Sequence, residues 1–336
     1  MNMKLTKGIV LLGLGIAVVV LFLKQGSSLI PARQLTPLTP AIGDGVGNSL
    51  VASAAAHLVQ SPPFEAELRQ ESRLYGVALS APGRYLQQGQ GSGKFRLELK
   101  TSIDGQVATM LRVSDGRFLY SRIALPESTT LTRLDLDSID TTLAEHIPRS
   151  SGDITKSKTT TPTNTPWMFG GLPFLLEELH QDFSFSAPQE SQLGETPVWT
   201  LAGTWKREAA QRIYLMRTGQ SLADDADLRE ALPEQLPTSV ELVLGRGGNL
   251  DLFPIQIRFL RDGVSVEHAL RPNDNVIASI EFQRVAFNVT LDDVAFNYDA
   301  GDEEVEYRTA EYQQTLEARF PHVLIPGSAS SQETVR

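Results

Sequence analysis

Apolar and polar residues alternate with period two over long stretches of this chain, which is the pattern of strands with one buried face. Phe64, Ala66 and Leu68 alternate with Glu65, Glu67 and Arg69, and Phe95, Leu97 and Leu99 alternate with Arg96, Glu98 and Lys100. Val107, Thr109, Leu111 and Val113 continue the rhythm, followed by Phe118, Tyr120 and Arg122. A shorter run, 84–88, is bounded by glycines. Asp104-Gly105 and Asp115-Gly116 separate successive runs, and Asp-Gly between alternating segments is a strong hairpin signal. Residues 64–122 therefore predict an antiparallel meander with one apolar and one polar face. Further strand signals fall at 183–185, 198–206, 213–216, 239–244, 255–260 and 276–288, about eleven strands in all.

Helical spacing is confined to the front and the centre. Asn48 or Ser49 is suited to cap a helix running to about Gln60, with Leu50, Val51, Ala54, Ala55, Leu58 and Val59 on one side and Pro62-Pro63 ending it. Residues 140–146 read as a short helix stopped by Pro148. Pro173 suits the first turn of a helix reaching about His180. Ser221 and Asp224 form a capping box for a helix over 221–232. Strands and helices do not alternate regularly, which disfavours a doubly wound parallel sheet. The expected fold is mainly β (α+β): one strongly bent antiparallel sheet forming an incomplete barrel, with helices on its concave face.

The first residues change the picture of where this body works. Lys4 and Lys7 precede an uncharged apolar run, 8–23, closed by Lys24. A basic segment before an apolar one marks export. As a helix the run spans about 24 Å, short of the ~30 Å hydrocarbon core, with Leu5 and snorkelling lysines to close the gap. Residues 1–25 thus read as a signal peptide or signal anchor. The anchor is favoured because Lys-Gln-Gly-Ser-Ser offers no clear Ala-x-Ala cleavage site. The expected location is the cell envelope on the periplasmic side, membrane-attached through 8–23. Residues 26–47 read as a linker, 48–320 as the body, 149–166 as a flexible Ser/Thr/Lys/Pro loop within it, and 321–336 as a loose tail.

Charge and composition then remove functions. The formal net charge of −10 argues against a nucleic-acid partner, which needs a basic face. The absence of cysteine excludes disulfides and thiolate metal sites. The five histidines form no HExxH or other ligand spacing. Glu177 and His180 at i, i+3 could share a helix face and hold a metal, but a solvated helix C-terminus, with His180 favoured by the helix dipole, is the preferred reading. No G-x-S-x-G elbow is present. Gly89 to Gly93, GQGSG, leads into a strand rather than a helix and reads as a hairpin turn, not a phosphate loop. The carboxylates Asp292, Asp293, Asp302, Glu303 and Glu304 lie in turn-like sequence and read as solvated. No catalytic residue, metal or cofactor is expected.

One segment invites a binding role. Trp167, Met168, Phe169, Leu172, Phe174, Leu175 and Leu176, with Gly170, Gly171 and Pro173, form ten uncharged residues directly after the polar loop. Core packing is one reading. The other is a movable lid over a concave apolar surface, hinged at Gly170-Gly171 because glycine absorbs backbone change cheaply. Each acyl methylene buried beneath it contributes about 0.8 kcal/mol.

The C-terminal segment 280–309 ends an alternating strand, then reads Asn-Val-x-Leu-Asp-x-x-x-Phe and closes on an acidic stretch. It resembles the end of the bacterial lipoprotein carrier family, the LolA/LolB-like proteins. The meander 85–120, with its Asp115-Gly116-Arg117 turn, looks similar to that family's early strands. The resemblance implies an incomplete barrel lidded by helices and a non-catalytic protein that binds the acyl chain of a lipid or lipoprotein. An envelope regulatory module of the same fold, binding a partner protein, is the alternative. A body longer than a minimal carrier, the extra loop and the expected tether depart from a soluble shuttle.

Overall fold

The computed structural model describes residues 45–74, 77–103, 105–146, 171–223, 226–233, 236–261 and 275–319. The expected export segment, most of the linker, the loop 149–166 and the tail lie outside the described residues. No described helix is long and apolar enough to cross a membrane.

Thirteen strands make one sheet: β1 (Phe64–Leu74), β2 (Val77–Gln87), β3 (Lys94–Ile103), β4 (Gln106–Asp115), β5 (Phe118–Leu125), β6 (Ser128–Asp135), β7 (Phe183–Phe185), β8 (Gln189–Leu193), β9 (Thr196–Trp205), β10 (Ser239–Gly245), β11 (Pro254–Leu260), β12 (Val276–Phe287) and β13 (Val305–Tyr307). Their order is β13-β6-β5-β4-β3-β2-β1-β12-β11-β10-β9-β7, with β8 paired to β9 off this path. Every pairing is antiparallel except β13 beside β6. The path ends at β13 and β7 without closing, so the sheet is a bent half-barrel, as the alternation predicts.

Differences of detail have local causes. β6 and β8 escaped the pattern because they are mostly polar, every residue of β8 being exposed, and β13 because it is only three residues long. Residues 213–216 are not a strand but part of a helix, Arg207–Thr218, closed by Gly219 at φ 71°. Ala209, Ala210 and Ile213 carry its helical spacing, and Gly219 is the left-handed residue that such ends favour. The helix expected over 221–232 shrinks to Leu228–Ala231, with Ser221 outside it, and Asp224 lies outside the described residues. β2 runs through Pro82, not just 84–88. β3 pairs with β2 only from Gly83 to Gln87, so Pro82 has no ladder partner on its β3 side, the unpaired side on which a strand tolerates a missing N–H. GQGSG is the β2–β3 turn, with Gly89, Gln90, Gly91 and Gly93 all at positive φ.

The helices are α1 (Val46–Gln60), α2 (Leu136–His146), α3 (Leu172–Asp182), α4 (Arg207–Thr218), α5 (Leu228–Ala231) and α6 (Thr309–Arg319). α1 and α3 pack together over one half of the sheet's inner face, burying Val51, Ala54, Ala55 and Leu58 from one and Leu172, Leu176 and Leu179 from the other. α2 and α6 form a second pair, burying Leu136, Ile139 and Tyr312.

Asn48 is not a cap, as its sequence position suggested. It lies inside the first turn of α1, 1% exposed, and reaches across to β7. Its Nδ2 donates to the Phe183 carbonyl at 3.1 Å and its Oδ1 accepts from the Phe185 N–H at 2.7 Å. One side-chain amide thus satisfies the outward donor and acceptor of the sheet's last strand. The approach is close: a Cβ on Gly47 would lie 2.0 Å from the Ser186 carbonyl oxygen.

After β12 the chain crosses the outer face as a strap. Asp292 accepts from the Val294 N–H to start a 3₁₀ turn, Asp293–Phe296, which buries Phe296. Lys94 pairs with Asp293 at 2.9 Å, Arg96 donates to the Ala295 carbonyl at 3.1 Å, the rings of Tyr120 and Tyr298 stand 5.1 Å apart, and Arg122 pairs with Glu303 at 2.8 Å. The strap delivers β13 to the far edge.

Candidate functional site

The concave face is built from alternate residues of neighbouring strands. Register places Phe64, Gln87, Phe95, Ser114 and Leu119 in one row and Ala66, Tyr85, Leu97 and Arg112 in the next. Leu68, Gly83, Leu99 and Met110 follow. An aromatic centre forms where α1 and α3 cover these rows. Phe64 has no exposed surface and contacts Tyr85, Phe253 and Phe287, at centroid distances of 5.7, 5.5 and 5.4 Å. Tyr85 stacks on Phe95 at 6.1 Å.

Within this apolar floor runs a short polar chain. The Leu172 N–H at the start of α3 donates to the Tyr85 hydroxyl at 2.9 Å. That hydroxyl donates to Gln87 Oε1 at 2.9 Å, and Gln87 Nε2 donates to the Leu58 carbonyl at 2.8 Å, near the end of α1. Three hydrogen bonds thereby link four buried groups and join both helices to β2. Burial pushes the Tyr85 phenol well above its ordinary range, so it stays neutral and keeps its proton for Gln87.

The predicted lid residues divide. Trp167, Met168, Phe169 and Gly170 lie outside the described residues. Leu172 and Leu176 are buried in the core, while Phe174 and Leu175 are half-buried against it. Gly171 precedes α3, and a Cβ there would stand 3.2 Å from both the Phe95 ring and the Tyr85 hydroxyl. Beside it is a cavity of about 20 Å³ lined by Tyr85, Phe95, Gly171, Pro173 and the glycine turn. That is room for about one water.

The other sequence candidates are taken up locally. Glu177 accepts from Gln181 at 3.1 Å, and Asp182 pairs with Arg212 at 2.8 Å. Among the described residues no three acidic or histidine side chains gather as a metal site requires. Asp292, Asp293 and Glu303 serve the strap, as its turn-like sequence suggested.

Two titratable groups went unremarked in the sequence. Arg112 on β4 is 6% exposed, and burial lowers its guanidinium to about 10. Asp140 on α2 has a buried Oδ1 without a hydrogen-bond partner, and burial, helped by Asp137, pushes its carboxyl up to about 7. In the unfolded chain Asp140 ionises near pH 4. Between about pH 4 and pH 7 the folded state therefore holds a proton that the unfolded state has released, and stability falls as pH rises through that window. Asp140→Asn is expected to flatten this slope and to stabilise the protein at pH 8 by about 2 kcal/mol, a value discounted because the carboxyl is only half-buried. Urea midpoints at pH 5 and pH 8 for both chains measure it, and equal pH slopes would refute it.

No protein-family model matches the chain, and no curated protein sequence matches it. Among solved structures it is similar to a chain of the MucA/MucB complex of Pseudomonas aeruginosa, at 14% identity and TM-score 0.37, over 75% of this chain and 61% of that one. It is similar to LprF of Mycobacterium bovis at 10% identity and TM-score 0.33, over 73% and 95% of the two chains. It is also similar to a LolA superfamily protein of Nitrosomonas europaea at 11% identity and TM-score 0.28, over 76% and 99%.

Proposed function

We propose that this chain is a non-catalytic envelope protein that holds the acyl chain of a lipid or lipoprotein against the concave face of its half-barrel, under α3 and the residues that precede it. The observation that carries this reading is the floor beneath α3: aromatic and aliphatic rows from β1 to β4, and a helix whose first N–H is tied to that floor by a hydrogen bond to Tyr85. A floor of this kind gains about 0.8 kcal/mol for each methylene it covers. The cavity of about 20 Å³ at Gly171 is far too small for a chain, and in this reading α3 swings from the floor to admit one. Gly170 and Gly171 are the hinge, and Trp167, Met168, Phe169, Leu172, Phe174, Leu175 and Leu176 are the apolar surface that then faces the ligand.

The test is photo-crosslinking of the full-length chain with a diazirine-bearing hexadecanol, followed by peptide mapping. Adducts on peptides covering β1 to β4 and residues 167–176, competed away by unlabelled hexadecanol, are expected. Adducts confined to residues 8–23, or none, would overturn the proposal.

A further inference from the structure

Arg112 is the one charged side chain on the inner face that is more than nine-tenths buried among the described residues. It stands on β4 between Leu97 of β3 and Ser121 of β5, with Met110 and Ser114 as its same-face neighbours along the strand. Ser114 is occupied, its Oγ accepting from the Gly116 N–H at 3.2 Å. The polar groups acting on the guanidinium are the phenols of Tyr85 and Tyr312. Tyr85 belongs to the latch under α3, and Tyr312 belongs to α6, so Arg112 lies where the two helix pairs meet the floor.

Its position is costly. The Nε is buried and has no hydrogen-bond partner, and no ion pair among the described residues reaches the guanidinium. Every other arginine in a described ion pair keeps its side chain at least 24% exposed. Asp140 in the neighbouring helix pair has a buried Oδ1 without a hydrogen-bond partner, its carboxyl is pushed up to about 7 by burial, and no ion pair joins it to Arg112 among the described residues. At about 10 the guanidinium remains a cation at neutral pH. A buried cation without a counter-ion is destabilising unless another group supplies the negative charge.

We propose that Arg112 receives the oxyanion of the ligand, so that the molecule held on this face is a single-chain amphiphile with a monoanionic head, its head on the guanidinium and its tail running from Leu97 past Phe95 toward the start of α3. This rests on the acyl-binding reading above and assigns the head group that it leaves open. A planar fork of donors suits a carboxylate or a phosphodiester equally. Selectivity for an anionic over a neutral amphiphile of equal length then arises at one residue.

The experiment uses the full-length chain and the neutral hexadecanol photoprobe as tracer, with hexadecanol, palmitate and palmitoyl lysophosphatidylglycerol as competitors. Palmitate or the lysophospholipid is expected to compete at about tenfold lower concentration than hexadecanol, the effect of one buried charge-assisted hydrogen bond. The better of the two anions identifies the head as carboxylate or phosphodiester. Arg112→Met is expected to erase the preference, with the two anions competing no better than hexadecanol, and Arg112→Lys to keep part of it. The Met variant folds at least as well as the parent, because it removes an uncompensated charge; its thermal midpoint checks this. Equal competition by all three in the parent, or an unchanged preference in the Met variant, overturns the role of Arg112 while leaving acyl binding intact. Failure of the tracer to label the β1–β4 peptides overturns acyl binding itself, and this inference with it.

Discussion

Phe64→Ala is expected to cost about 3–5 kcal/mol, the largest loss of any single truncation on the inner face. The ring has no exposed surface and touches aromatic partners on three sides. Those partners come from β2, from the residue before β11 and from the end of β12, so the cavity left behind is bounded by rigid sheet on several sides and collapses poorly. Each ring pair adds to the loss through edge and tilted contacts worth about 0.5–1.5 kcal/mol beyond buried area. Urea unfolding followed by far-UV circular dichroism measures the effect. A loss below about 1 kcal/mol would mean that the helices settle into the space and that the centre is far more plastic than its packing indicates.

Asn48→Ala is expected to follow at about 2–4 kcal/mol. Two hydrogen bonds disappear, and the Phe183 carbonyl and Phe185 N–H remain in an interior that water does not reach. Asn48→Asp separates the two halves of the interaction. It keeps an acceptor for the Phe185 N–H but sets a carboxylate against the Phe183 carbonyl, and it is expected to destabilise more at pH 8 than at pH 4, where it can be protonated and donate. Thermal midpoints of the parent and both variants at each pH report this. If Asn48→Asp left the protein as stable as the parent at pH 8, the bidentate arrangement would be excluded.

The half-barrel was legible in the chain because alternation survives wherever one face is wet. β1 and β3 write Glu, Arg and Lys outward and Phe, Ala and Leu inward, and their partners follow in antiparallel register. In β4 and β5 the alternation was legible but its face was not: Val107, Thr109, Leu111 and Val113, with Phe118 and Tyr120, lie on the outer face, opposite to Phe95, Leu97 and Leu99, and Met110, Arg112 and Leu119 point inward. The pattern failed at β6 and β8, where Ser, Thr, Gln and Glu leave too little contrast between faces, at the three-residue β13, and at Ile213, whose apolar neighbours suggested a strand until Gly219 closed a helix. The helical cover was legible from Pro173 and from the spacing in α1. The residues that shape the site were not. Tyr85, Gln87 and Arg112 look like ordinary positions in alternating strands, and only the register that brings Leu58, Leu172 and Tyr312 beside them gives them partners or withholds one. For Arg112 a signal did exist: the alternation of β4 places an arginine on the same face as Met110, where a charge breaks the inward apolar series. Asn48 stood in a capping position by sequence, and its use in bridging to an edge strand depends on a contact between residues far apart in the chain.

The sheet order carries a consequence for how the protein comes to be. β1 lies between β2 and β12, with Phe64 opposite Phe287, so the middle of the half-barrel joins one of the earliest strands to one of the last. As the chain emerges from its N-terminus, the hairpins β1 to β6 can assemble promptly from local pairs, but β1 then presents an unpaired row of amides until β12 arrives. The strap that follows β12 must be laid across the outer surface later still. Acquisition of the native state is therefore gated by release of the C-terminal third, and truncations that remove β12 should yield a persistently holdase-dependent meander, not a smaller working version of the protein.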